Sequence, residues 1–99
     1  GGITEVKKIA TLADTFHVPI SPHNTKGPVG IVAAAHLMAS VPNVAPMELV
    51  TGIDWRDEII TKPLNIEGGL VCLPEGPGWG VELDMDGVEN HRWRPGDPR

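Results

Sequence analysis

Cysteine is almost absent from this 99-residue sequence, which contains a single one, Cys72. One cysteine can form neither an internal disulfide nor a zinc site built from cysteines. Because Cys72 lies between Val71 and Leu73, we expect it to be a small buried apolar residue and not a nucleophile.

Basic residues are also scarce. The sequence contains 8 Lys and Arg and 13 Asp and Glu, which gives a formal net charge of −5. The excess of acid lies entirely in residues 54–99. A protein that binds nucleic acid needs a basic stripe to neutralise phosphates. Neighbouring basic residues occur only at two positions near the start and in the tail: Lys7, Lys8, Arg92, Arg94 and Arg99. We therefore expect neither nucleic acid nor an anionic membrane as a partner.

A long hydrophobic run is missing as well. The longest apolar stretch, residues 29–39, is interrupted by Gly30 and His36 and is shorter than the roughly 20 residues that span a bilayer. No basic segment is followed by an apolar one in the manner of a signal peptide, so the cytoplasm is the expected location.

Glycine and proline are abundant, with 12 and 10 residues, and they fall between apolar runs, which indicates short elements joined by tight turns. Apolar residues at helical spacing predict a helix over residues 4–16 that ends near His17. Pro28 suits the first turn of a second helix, with His36 on its surface, which must end near Ser40 because Pro42 follows. Short strands are predicted at 18–20 and 43–50.

This alternation of helix and strand with short connections is typical of a parallel sheet. Two strands and two helices cannot close a core, because a parallel sheet must be covered on both faces. A complete (β/α)8 barrel takes about 250 residues. The first fifty residues therefore indicate the end of a larger α/β structure.

The second half has a different pattern from Ile53 onward. Short apolar segments alternate with glycine-rich stretches, which predicts short β segments and turns and no helix of useful length. We expect a turn at Asp86-Gly87, because the acidic residues there lack the spacing of a calcium-binding loop. Trp55 and Trp93 are candidates for either core or interface positions, and their size favours the core.

Residues 1–43 contain an ordered series of features: Gly-Gly-Ile-Thr-Glu at the start, Pro-His-Asn after a short strand, Gly-Pro opening a helix, and Pro-Asn before the strand that carries Glu48. In order and spacing this series resembles the segment from the end of barrel strand six through helix seven in mandelate racemase-like enzymes of the enolase superfamily, which include many acid-sugar dehydratases. The tail is similar to the family's segment that leaves the barrel, with Pro-Leu at 63–64, Gly-Gly-Leu at 68–70, Leu-Pro at 73–74 and GPGWGVELD at 76–84. The resemblance covers residues 1–86, and only Trp79 departs from it, where a smaller aliphatic residue is expected.

The resemblance implies a fold and a reaction. Residues 1–54 would be the end of a (β/α)8 TIM barrel (helix 6, strand 7, helix 7 and strand 8), and residues 55–99 would pack against an N-terminal capping domain. The implied reaction is Mg²⁺-dependent removal of the proton alpha to a carboxylate, with dehydration of an acid sugar. One alternative is racemisation or epimerisation of a 2-hydroxy acid. An alternative from another class is a non-catalytic small domain that binds a partner through its acidic second half.

Two residues carry the implied chemistry. Side chains just beyond the carboxyl ends of barrel strands face the active site, so His23 and Glu48 on adjacent strands should lie at one rim. By resemblance, His23 is the strand-seven base or the acid that returns a proton. Glu48 is the strand-eight carboxyl group, protonated so that it can donate to the developing enolate oxygen. Asn24 either orients His23, contacts substrate or forms a turn.

The resemblance places other parts of the site upstream of Gly1, namely the Mg²⁺ ligands and the aspartate that pairs with the strand-seven histidine. The 99 residues alone are therefore expected to be inactive. The expected partners are a small hydroxy-acid or acid-sugar substrate, the N-terminal part of the same enzyme, and further copies of the protein in a homo-oligomer.

Overall fold

A computed structural model describes residues 1–25 and 27–97 of the chain. The first half contains two helices, α1 (Ile3–Thr15) and α2 (Pro28–Ala39). The second half contains a 3₁₀ helix (Arg56–Ile59), two strands, β1 (Asn65–Glu67) and β2 (Leu70–Cys72), and a short helix, α3 (Met85–Asn90). The predicted segment 55–99 extends beyond the described residues at positions 98 and 99.

Both helices of the first half are confirmed to within about a residue of their predicted ends. Helix α1 has an acidic residue, Glu5, in its first turn, where the helix dipole favours an anion. It ends at Thr15, close to the predicted end, and His17 just beyond it adopts a left-handed conformation with φ 55°. This conformation lets the N–H groups of His17 and Val18 donate to the carbonyls of Asp14 and Ala13, at 2.9 Å each.

Helix α2 lies at the centre of the core. Pro28 occupies its first turn, as predicted, where the missing N–H costs no helical hydrogen bond. Ile31 and Val32 are fully buried and pack with Leu64, and a ring of partly buried residues surrounds them: Met47, Leu49, Val71 and Val81. The helix thus holds the first half of the chain and the hairpin of the second half together.

The two predicted strands of the first half pair in parallel but are much shorter than expected. Ile20 and Val44 form an isolated parallel bridge. The N–H of Ile20 donates to the carbonyl of Asn43, and the N–H of Ala45 donates to the carbonyl of Ile20, each at 2.8 Å. The amide of Asn43 donates to Val18 O at 2.9 Å and to Ala10 O in α1 at 3.0 Å, which fixes the helix to the bridge.

The predicted β segments of the second half are confirmed in a hairpin, where β1 pairs antiparallel with β2 in the register Asn65 to Cys72. The prediction of a turn at Asp86-Gly87 is wrong, since both residues lie in α3, and the tail does contain short helical elements. Asp84 explains this, because its Oδ1 accepts from the N–H of Gly87 at 3.0 Å and caps the helix.

Three predictions of burial are also wrong. Cys72 is exposed, because side chains alternate along β2 and its neighbour Val71 takes the face that packs on the core. Trp55 and Trp93 are 45% and 53% exposed. Trp55 stacks instead on the imidazole of His91, with ring centroids 4.8 Å apart.

Within residues 1–25 and 27–97, none of the helices has the length and apolar character required to cross a membrane.

Candidate functional site

The site lies just beyond the parallel bridge, where both segments run in the same direction past Ile20 and Val44. His23 follows Ile20 by three residues, and Glu48 follows Val44 by four. Their side chains meet, with His23 Nδ1 2.6 Å from Glu48 Oε2. The structure thus brings together the two residues that the sequence singled out, at the carboxyl ends of parallel neighbours.

A second hydrogen bond to the same oxygen favours one direction for the first. The backbone N–H of Asn24 donates to the same oxygen, Glu48 Oε2, at 2.9 Å. A backbone N–H can only donate, so Oε2 is an acceptor here. The simplest assignment places the shared proton on His23 Nδ1, and whenever the imidazole is neutral this leaves Nε2 with a lone pair directed away from Glu48.

His23, Glu48 and Asn24 differ in their exposure to solvent. The side chain of His23 is 78% exposed and that of Glu48 is 42% exposed, whereas Asn24 is buried, with only 4% of its surface accessible. The side-chain amide of Asn24 reaches the sulfur of Met47 at 3.8 Å and makes no hydrogen bond to His23 among the described residues. Asn24 therefore acts on the pair through its backbone, which holds Glu48 in place.

Sequence reasoning missed Ser21, whose hydroxyl donates to the carbonyl of Pro46 at 2.7 Å. This bond crosses between the two segments that carry His23 and Glu48. A signal was present in the sequence, because the prolines at 19, 22 and 46 remove backbone donors that a regular strand pair would use.

Magnesium, which the resemblance implies, would need ligands beyond this pair. Within residues 1–25 and 27–97, no group of three or more His, Cys, Asp or Glu side chains could hold a metal ion. His23 and Glu48 contribute a single carboxylate, whereas Mg²⁺ prefers several oxygen ligands in octahedral geometry. The described residues do not fit the ion by themselves, and the site's own chemistry is that of an imidazole and a carboxyl group.

Polar contacts elsewhere anchor the chain that follows Glu48. Arg56 pairs with Asp57 through Nε and Nη2, each at 2.9 Å, and its Nη1 donates to the carbonyl of Val50 at 2.8 Å. The hydrogen bond with Asp57 raises the pKa of the Arg56 guanidinium above its ordinary value, burial opposes this, and the charge of Asp57 adds to it. This permanently charged group ties the 3₁₀ helix to the segment that carries Glu48.

The departure at Trp79 has a structural partner. The indole lies against the imidazole of His36 on α2, with ring centroids 5.6 Å apart, and the Trp79 carbonyl is 3.1 Å from His36 Nε2. His36 was predicted to lie on the helix surface and is half-buried by this contact. The pair attaches the loop before Gly80 to α2 and lies outside the contacts that His23 and Glu48 make.

Comparison with known proteins gives a family match and several relatives. The family described as enolase C-terminal domain-like matches residues 1–87. A D-xylonate dehydratase from Haloferax volcanii is 37% identical over 92 residues, which are 92% of this chain and 22% of the dehydratase. A D-galactarolactone cycloisomerase from Agrobacterium fabrum is 36% identical over 101 residues, covering 93% of this chain and 27% of the cycloisomerase.

A solved structure shows the same fold. The mandelate racemase/muconate lactonizing enzyme-like protein from Rubrobacter xylanophilus superposes with a TM-score of 0.87 at 39% identity, over 99% of this chain and 26% of that protein. The chain thus spans about a quarter of the length of the relatives it matches. With a family match over residues 1–87, this chain belongs to the family of enolase C-terminal domain-like proteins, as its sequence features predicted.

Proposed function

We propose that His23 and Glu48 are part of an active site that removes the proton alpha to the carboxylate of an acid sugar and eliminates water from it. The observation that carries this proposal is the 2.6 Å contact between His23 Nδ1 and Glu48 Oε2 at the end of the parallel bridge. A paired imidazole and carboxyl group at the carboxyl ends of adjacent strands can transfer protons to and from a bound substrate.

His23 would act through Nε2. With Nδ1–H donated to Glu48, the neutral ring has its lone pair on Nε2, and this side of the ring is open because the side chain is 78% exposed. Nε2 can accept the alpha proton or, once protonated, give a proton to the departing hydroxyl group. The contact with Glu48 fixes the tautomer and the ring orientation in which either step is possible.

Glu48 would act through its other oxygen. Oε2 accepts from His23 and Asn24, at 2.6 Å and 2.9 Å. A protonated carboxyl group can accept on one oxygen while it donates from the other, so Oε1 can stabilise the developing enolate oxygen with a hydrogen bond. Oε2 thus positions Glu48 against His23 and Asn24, and Oε1 stabilises the enolate.

The whole enzyme would supply the rest of the site. We propose that residues 1–54 end a (β/α)8 barrel, that residues 55–99 pack against a capping domain, and that any magnesium ion is held by residues outside this segment. The short span relative to the relatives supports this, as does the exposed apolar surface of α1, where Leu12 and Phe16 are 63% and 70% exposed. Assembly into a homo-oligomer belongs to the same proposal.

Racemisation or epimerisation is the second candidate, because the first step is shared. The mandelate racemase/muconate lactonizing enzyme-like protein from Rubrobacter xylanophilus matches this chain about as well as the dehydratase does, at 39% against 37% identity. The products separate the two reactions. Dehydration yields a 2-keto-3-deoxy acid, whereas racemisation returns an isomer of the substrate with deuterium at the alpha carbon when the solvent is D₂O.

The test uses the protein at its natural length with Mg²⁺ and a panel of sugar acids that includes D-xylonate, D-gluconate and D-galactonate, monitored by proton NMR in D₂O. His23→Asn should abolish both alpha-proton exchange and product formation. His17→Asn is the matched control, because His17 is exposed in a left-handed conformation that asparagine tolerates, with φ 55°. Undiminished exchange in His23→Asn would refute the assigned role.

The non-catalytic alternative predicts a different set of results. A free-standing binding domain would exchange no alpha proton on any sugar acid, and the 99 residues alone would unfold in one cooperative transition. Among the described residues the central buried cluster is small and consists of Ile31, Val32 and Leu64, which argues against such independence.

A further inference from the structure

The segments that carry His23 and Glu48 lose their backbone hydrogen bonds before they reach the site. In a regular parallel pair, the donor after Ile20 would be residue 22, directed at the carbonyl of Ala45. That residue is Pro22, which has no N–H. Within the described residues, no backbone-to-backbone hydrogen bond joins the two segments beyond Ala45.

Ser21 supplies the missing link. Its Oγ donates to the carbonyl of Pro46 at 2.7 Å, and the two residues lie two positions before His23 and two positions before Glu48. The next link, from the N–H of Asn24 to Glu48, uses the Glu48 side chain itself. Beyond it, the Asn24 side-chain amide makes only a long contact with the Met47 sulfur, at 3.8 Å, among the described residues. The serine hydroxyl is therefore the last short hydrogen bond that fixes the spacing of the two segments independently of the reacting side chains.

We propose that Ser21 is a positioning residue of the site: its hydroxyl sets the separation of the two segments so that His23 Nδ1 and Glu48 Oε2 meet without further ordering. Ser21 is exposed, so water can replace its hydrogen bond and the loss should cost little in stability. Removing this hydrogen bond should mainly change how often His23 and Glu48 meet, because side chains carried by flexible segments reach the arrangement needed for proton transfer less often. The consequence for catalysis depends on the proposed function, whereas the effect on the pair does not.

The test measures the tautomer of His23 directly. The protein at its natural length is labelled with ¹⁵N-histidine, His23 is assigned with His23→Asn, and the ratio of Nδ1–H to Nε2–H is read from the ring nitrogen shifts at a pH where the ring is neutral. Glu48→Ala marks the ratio reached when the contact is absent. Ser21→Ala should lower the Nδ1–H to Nε2–H ratio by about two- to tenfold, the range expected for one hydrogen bond. Ser21→Thr keeps the hydroxyl and should restore the ratio.

Ser40→Ala is the matched control, since the Ser40 hydroxyl donates to the carbonyl of Leu37 at 2.8 Å at the end of α2, away from the site. It should leave the His23 ratio unchanged. An unchanged ratio in Ser21→Ala would overturn the proposal, and so would an equal shift in Ser40→Ala, which would indicate general loosening. If Ser21→Ala does not fold, Ser21→Cys is measured in its place. If neither variant folds, Ser21 is a structural residue and the proposal is also overturned.

Activity then separates this proposal from the proposed function. If the enzyme dehydrates sugar acids, kcat of Ser21→Ala should fall about as much as the tautomer ratio, with KM nearly unchanged, because substrate binding does not depend on the pair's spacing. A wild-type protein that is inactive on every sugar acid while Ser21→Ala still shifts the ratio would refute the proposed function and leave the positioning role standing.

Discussion

The contact between α3 and the 3₁₀ helix depends on a single glycine. A Cβ added at Gly87 would lie 2.0 Å from the carbonyl oxygen of Glu58, 2.8 Å from its carbonyl carbon and 3.3 Å from Ile59 Cα. All three are backbone atoms and cannot rotate away. Since non-bonded carbon and oxygen atoms need somewhat more than 3 Å, Gly87→Ala must push the two helices apart by roughly 1 Å.

Two opposing effects determine how much Gly87→Ala changes the stability of α3. Alanine is a better helix former than glycine and should stabilise α3 by about 0.5 to 1 kcal/mol. Overpacking costs about 1 to 3 kcal/mol, and the upper half applies here because the clash is with backbone. The shift also strains the hydrogen bond from the N–H of Asp84 to the carbonyl of Ile59, at 3.1 Å. We expect a net loss of about 2 kcal/mol in the local stability of α3, which corresponds to roughly 30-fold faster amide exchange.

Hydrogen exchange with mass spectrometry on the peptide that covers residues 84–91 measures this loss. The amides of Val88 and His91 report it, because they donate within the helix at 2.9 Å and 3.1 Å. Asn90→Ala is the matched control on the exposed side of α3, and it should slow exchange or leave it unchanged. Exchange in Gly87→Ala as slow as in the wild type would refute the reasoning, since the helix-propensity gain would then outweigh the clash.

Three further variants probe the frame around the site. Ile31→Ala removes a fully buried side chain and should lower the free energy of unfolding by about 2 to 5 kcal/mol, measured by denaturant titration. Asn43→Ala removes two hydrogen bonds, from its amide to carbonyls at 2.9 Å and 3.0 Å, and should speed amide exchange in α1 by about tenfold; equal exchange would contradict it. Arg56→Lys loses the paired contact with Asp57 and should cost about 1 kcal/mol. The pKa of Arg56 is raised in the folded state, so its contribution to stability is fully present at any pH below the pKa of the unfolded chain. The free energy lost in Arg56→Lys should therefore stay constant across neutral pH. A loss that varied with pH in this range would contradict the expectation.

The helices were predictable because their signals are local, and the parallel pairing was predictable from the alternation of helix and strand. Apolar spacing located α1, and Pro28 with Pro42 bounded α2. The short extent of the Ile20–Val44 pairing was not foreseen, although prolines interrupt the ladder on both sides. Periodicity predicts that a segment is apolar and extended, whereas hydrogen bonding depends on donors that individual prolines remove.

The second half was less predictable because its structure depends on contacts between distant segments. Helix α3 has six residues and includes a glycine, so propensity alone favours a turn. Asp84 stabilises it, because its side chain caps the helix and its N–H donates to the carbonyl of Ile59 at 3.1 Å, and neither contact is visible in the local pattern. The exposure of Cys72 depended in the same way on which face of β2 meets the core.

The contact between His23 and Glu48 could be expected only through the resemblance, because 25 residues separate them and spacing alone does not pair two segments. Its strength is then set by what surrounds it. In the described chain the pair is largely open to water, with side chains 78% and 42% exposed, so its electrostatic contribution is screened. The apolar face of α1 is open as well, with Phe16 70% exposed. If the remainder of the proposed barrel covers both surfaces, the burial that stabilises α1 also lowers the effective dielectric constant around His23 and Glu48. The contact between these two side chains then gains strength at the point where a substrate proton would be transferred.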